Sequence, residues 1–194
     1  MAKTGPCHNM DSQLRSTLMK VALPLVVIAG TLIASQVFSK RKGIPLRDAG
    51  FAWPKISMLC LWLAIWIVWI VVTEMAIPVL GLEQAKPWPN YPPLIIALRI
   101  AAIGILGPVS EELLFRGILF AALSRQRPGP AGAIVICAVT WAVLHYRYGW
   151  GTVGLIALDG LLLGTARHQS RSILVPILMH VIGNLYSIYQ SLHG

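Results

Sequence analysis

Charge is what this chain has least of. Lys, Arg, Asp and Glu make up 12% of its 194 residues, about half the share of an ordinary soluble domain. Acids are scarcer still, seven in all. With 56% hydrophobic residues and a mean hydropathy of +0.70, this composition excludes a soluble globular domain and points to a helical membrane protein. Cysteine is also short: Cys7, Cys60 and Cys137 are odd in number, two lie in apolar tracts, and their spacing fits neither a disulfide framework nor a metal site. No H-E-x-x-H, no G-x-S-x-G and no Gly-rich phosphate loop occurs, so zinc-helix, serine-hydrolase and nucleotide-binding readings have no support. The net charge of +9 would suggest nucleic acid in a soluble protein. Here the loop lysines and arginines more simply set orientation in a bilayer, and no nucleic-acid partner is expected.

What is present is a series of long apolar runs. Residues 1–17 are polar and mildly basic, with no clear cleavage site and no lipidation motif around Cys7. Leu18–Phe38 is the first candidate span, about the ~20 residues a bilayer needs, and its Pro24 is tolerable in a membrane helix. Lys40-Arg41-Lys42 stops it, and 40–55 reads as a cytosolic interfacial loop. Ile56–Leu80 is the second span, with Glu74 expected near an interface. Residues 81–93, rich in proline and glycine with Trp88 and Tyr91, read as a loop at the opposite interface. Leu94–Leu123 is apolar apart from Arg99, Gly107-Pro108 and Ser110-Glu111-Glu112-Leu113-Leu114-Phe115-Arg116. It reads as one tilted helix kinked at Pro108 or as two shorter pieces, with Arg99 snorkelling to the interface. Ala131–Tyr146, Thr152–Ala166 and Ile173–Leu192 follow, separated by a basic turn at 125–130, by 147–151 and by a last turn at 167–172.

The expectation is an all-α integral membrane protein, a polytopic bundle of about six helices, or seven if 94–123 divides. It has two parts: an N-terminal tail with two transmembrane helices over 1–93, and a core over 94–194. With six crossings, loops 40–55, 124–130 and 167–172 share one side and hold nine Lys or Arg, against five for the termini and the other loops. Positive-inside logic puts the nine in the cytosol and both termini outside.

Two adjacent carboxylates and an arginine at membrane depth are expensive, roughly 2.5–3.5 kcal/mol each on the lenient insertion scale. On a helix, Glu112 and Arg116 form an i, i+4 pair with the acid N-terminal, the favourable order. Glu111 points about 100° from Glu112 and about 140° from Arg116. Glu112 and Arg116 can therefore neutralise each other and leave Glu111 to face a reaction space; a purely structural ion network is the competing reading. His180 and Asn184 share a helical face and can address one point, and His145 lies one turn after Trp141. A carboxylate and a His can activate water while a second His and an Asn amide donate to an oxyanion. The same residues would equally fit a metal site that polarises its water. Asp159, in an apolar helix beside Gly160 and Gly164, is expected to be hydrogen-bonded at a close helix contact.

The ordered motifs Glu111-Glu112-x3-Arg116, Trp141-x3-His145 and His180-x3-Asn184 resemble the CPBP family, which comprises type II (Rce1-like) CAAX prenyl proteases and bacteriocin-processing or self-immunity relatives. The resemblance covers about 94–190. It implies an intramembrane endopeptidase acting on a membrane-associated peptide or protein, prenylated or not. By position, Glu111 and His145 would activate water, Glu112 and Arg116 would support them, and His180 and Asn184 would stabilise the oxyanion. If a divalent metal such as zinc is bound, Glu111, His145 and His180 would hold it. The metal-free reading is favoured, because an Asn is a better amide donor than a zinc ligand. Trp141 stands where the second motif usually begins with Phe, a change expected to affect packing rather than chemistry. The location expected is a bacterial cell membrane, spanned several times. A small transporter or proton relay would also keep Glu111, Asp159, His145 and His180 at depth, but it would normally carry internal repeats, and none is apparent. A non-catalytic adaptor or immunity protein of the same fold is the other alternative. The sequence does not set the oligomeric state.

Overall fold

In the computed structural model, described over residues 6–42, 50–82 and 86–193, every regular element is a helix. These are α1 (Pro6–Lys42), α2 (Ile56–Val79), α3 (Pro93–Leu123), α4 (Gly129–Val143), α5 (Trp150–Ser170) and α6 (Leu174–His193), with a short 3-10 turn at Tyr146–Tyr148. The basic loop expected over 40–55 lies in part outside the described residues, as do 83–85 of the loop between α2 and α3 and the side chain of Cys7. By length and composition, Met10–Val37, Ile56–Val79 and Pro93–Leu123 can each cross a membrane, and α4 is a shorter apolar helix. The protein is a helical integral membrane protein. Leu23, Val26, Ile33, Val68 and Met75 on α1 and α2 face outward, as lipid-facing side chains would.

The first helix is longer than the apolar run that announced it. It begins at Pro6 rather than Leu18, because nothing between these positions breaks a helix and Thr17 Oγ1 donates back to Gln13 O within it. The last turn is shorter than expected. Helix α5 runs on through Arg167 to Ser170 and stops where Arg171 takes a left-handed φ of 55°.

Stretch 94–123 is one continuous helix. It passes Pro108 by widening: Ile100–Leu106 and Leu113–Leu119 are π-helical, flanking the α-helical Gly107–Glu112. Proline has no N–H and its ring crowds the carbonyl four residues back, so a wide turn ahead of it is a local solution. Gly107 N–H reaches back five residues to Ala102 O. The Ile103 carbonyl is thereby passed over by Gly107 and faces Pro108, which cannot donate. In the second wide turn Phe120 N–H goes to Phe115 O and Gly117 O and skips Arg116 O.

Helix α1 lies along α3; α3 touches α4 and α6; α2 packs on α5 and α6. The closest pair is α4 with α5. A Cβ on Gly160 would stand 2.9 Å from the Cα of Ala138, and one on Gly164 3.0 Å from Ile134, so small residues let these backbones meet. Trp62 and Trp66 of α2 join Phe115, Trp141, Leu163, Val175 and Met179 in the core. Asp159 is hydrogen-bonded as expected, though its partner comes from another direction: Trp69 Nε1 of α2 donates to Oδ1 at 2.5 Å. Glu74 accepts from Gln190 Nε2 at 2.6 Å, so it joins the ends of α2 and α6 instead of only facing an interface. Arg99 lies 4.3 Å from the ring centre of Tyr91 and 5.8 Å from that of Trp88, two aromatics of the preceding loop.

Candidate active site

The site is built across the middle of α3, the end of α4 and the first half of α6. The two adjacent glutamates part as the helical geometry requires. Glu112 is fully buried and its Oε1 accepts from Arg116 Nη1 at 2.8 Å. The same oxygen lies 2.9 Å from His180 Nδ1. Arg116, also fully buried, donates through Nη2 to Gly160 O at 3.2 Å, and its guanidinium lies 4.7 Å from the centre of the Trp141 ring. The long-range contact with Gly160 exists because that glycine brings α5 close.

Glu111 faces away from this pair and its side chain is 34% exposed. Its Oε2 accepts from Trp141 Nε1 at 2.6 Å and lies 3.9 Å from His180 Nε2. The expectation that Trp141 changes only packing is thus corrected. A phenylalanine there has no N–H to offer, whereas the indole binds the exposed carboxylate directly.

Both histidines have one nitrogen committed. His145 Nδ1 is 2.9 Å from Trp141 O; a carbonyl only accepts, so Nδ1 carries the proton and Nε2 is left with its lone pair in the neutral ring. In His180 the Glu112 carboxylate fixes Nδ1–H in the same way and directs Nε2 toward Glu111. Both rings stand edge-on to Trp141, at 5.3 Å and 5.2 Å between centres. Asn184 is on the same face of α6 as His180, but their polar atoms go to different partners. Asn184 Nδ2 donates to Ile103 O at 2.9 Å, the carbonyl stranded ahead of Pro108, and the second amide hydrogen remains available.

The residues that sequence reasoning missed serve α3 itself. Arg167, counted above among loop charges, is buried; its Nε donates to Arg116 O at 3.1 Å, the carbonyl skipped by the second wide turn. Arg167 also packs 5.3 Å from the Phe120 ring centre and against Gly50. That glycine has φ 93° and no room for a Cβ, which would fall 2.5 Å from the guanidinium. Pro108 was the one sequence signal for such needs.

Residues 93–186 match the sequence model of the family described as type II CAAX prenyl endopeptidase, Rce1-like. This region belongs to the Rce1-like family. No curated protein and no solved structure shows a significant match to the chain. The Rce1-like domain spans all six motif residues, from Glu111 to Asn184. Among the described residues, no three His, Cys, Asp or Glu side chains are gathered as a metal ion would require. Glu111, His145 and His180 do not form a ligand set as placed, and no step below runs through a metal.

Proposed function

We propose that this protein is a multi-pass intramembrane endopeptidase whose catalytic core is 94–194 and whose base is Glu111. The substrate is a peptide bond of a membrane-associated peptide or protein, the class that the Rce1-like description names being a prenylated CAAX terminus. The observation that carries the reading is the division between the two glutamates: one is sealed and neutralised, the other is accessible and oriented.

In the proposed reaction Glu111 and His145 take a proton from water, and the resulting hydroxide adds to the scissile carbonyl. His180, protonated on both nitrogens, donates Nε2–H to the oxyanion while the Glu112 carboxylate behind it balances the charge. The remaining amide hydrogen of Asn184 is the second donor. Collapse breaks the C–N bond, and the departing amine takes the proton held by the base. Arg116 keeps Glu112 ionised and in place.

Two quenched-fluorescent peptides test this against purified protein in detergent: one ending in a farnesylated CAAX sequence, the other an unprenylated hydrophobic peptide. Wild type should cleave at least one of them, with chelator making no difference. Glu111→Gln should remain folded and lose about 10²–10⁴-fold in turnover. Near-wild-type turnover by this variant would remove Glu111 from its role, and loss of activity on chelation would show that a metal is required.

A further inference from the structure

Trp141 touches more of the site than any residue to which a catalytic role has been given. Its indole N–H holds Glu111 Oε2, its face carries the Arg116 guanidinium, and both histidine rings meet it edge-on. Its own carbonyl fixes the Nδ1 of His145. It is itself 4% exposed, so it has no freedom to follow a carboxylate that moves.

The N–H contact has a consequence for Glu111. The only other polar atom close to Oε2 is His180 Nε2 at 3.9 Å, a separation that a change in the glutamate side-chain torsions could close. An exposed glutamate beside a histidine would turn toward it and form an ion pair, which would occupy both the base and the oxyanion donor at once. The indole N–H binds Oε2 first, and it does so in a direction fixed by the buried ring. Oε1 is then the free oxygen, and His180 Nε2 is kept from it. We infer that Trp141 is a positioning residue: its indole N–H holds Glu111 apart from His180 so that base and oxyanion donor stay separately available. This rests on the assignment of Glu111 as the base.

Trp141→Phe separates the N–H from the ring. The phenyl group keeps the edge contacts with both histidines and removes only the donor and the second ring of the indole. A misplaced catalytic group costs up to about 10²-fold, so kcat of Trp141→Phe should fall by about 10–10²-fold on whichever of the two peptides wild type cleaves. KM should stay put, because the N–H faces Glu111 and not the substrate. A wild-type kcat would overturn the inference; so would a raised KM at unchanged kcat, which would make Trp141 a substrate contact. An independent readout needs no turnover. In a ¹⁵N–¹H spectrum of the detergent-solubilised protein, the Trp141 indole signal is assigned by its loss in Trp141→Phe, or in Trp141→Leu if the first variant does not fold. It should lie downfield in wild type and move upfield in Glu111→Ala while the other indole signals remain. An unmoved signal would show that the bond is absent. The two ideas fail separately: an active Glu111→Gln removes the base assignment, whereas an inactive Glu111→Gln beside a fully active Trp141→Phe removes only the role of the indole.

Discussion

Asn184 Nδ2 donates to the Ile103 carbonyl, and that single bond ties the last helix to the wide turn that precedes Glu111 by about two helical turns. Its acceptor has lost both of its helical donors, one to the widened register and one to Pro108. Asn184→Ala should therefore have two effects. An unpaired carbonyl costs about 1–3 kcal/mol, seen as a lower melting temperature in detergent. Loss of an oxyanion donor lowers kcat by about 10²–10³-fold with KM little changed. A variant with wild-type melting behaviour would show that the carbonyl finds another partner.

Arg116→Ala should destabilise the fold more than Glu111→Gln. It leaves the fully buried Glu112 with His180 as its remaining partner and empties the contact to Gly160 O. Breaking a buried pair typically costs about 3–5 kcal/mol. Thermal unfolding of the two variants side by side checks the order, and equal midpoints would count against a buried pair.

Asp159→Asn should keep its activity. The asparagine Oδ1 still accepts from Trp69 Nε1, and Asp159 lies outside the cluster around Glu111. Asp159→Leu, by contrast, strands the indole N–H at a cost of about 1–3 kcal/mol. Loss of all peptidase activity in a folded Asp159→Asn would draw this aspartate into the chemistry.

Gly160→Val should cost both stability and turnover. Its side chain would meet the Ala138 backbone, so α5 must back away from α4 and withdraw the carbonyl that Arg116 holds. Overpacking of this kind typically costs about 1–3 kcal/mol. Melting temperature and peptide cleavage measured on one preparation would show the two losses together.

The parts of the site that could be read in the sequence are those that depend on one helix at a time. Glu112 with Arg116, and Glu111 turned away from both, follow from about 100° per residue and nothing else. The partners supplied by other helices were not readable in this way. That Asp159 would be bonded was clear from the cost of burying it, but the choice of Trp69 depends on how α2 crosses α5. Arg167 looked like a loop cation because the chain after it is polar; its burial depends on Gly50, far away in sequence. Trp141 was misjudged for a related reason: its ring predicts packing, and only the position of Glu111 across the interface turns its N–H into a contact. The alternatives left open for 94–123 were settled by backbone hydrogen bonding, which leaves no periodic trace in side chains.

The two wide turns in α3 make residue count matter as much as residue identity. If one residue were deleted between Ile100 and Leu106, the helix could close that turn with ordinary i→i+4 bonds and would still look sound by composition and hydropathy. Everything after the deletion would be rotated by about 100° relative to everything before it. With α1 and the start of α3 held in place, Glu111 would swing off the face that Trp141 occupies; with the glutamates held, Ile103 would swing away from Asn184. A frame-preserving loss of one apolar residue, well away from any charged group, would thus silence the site as surely as removing its base.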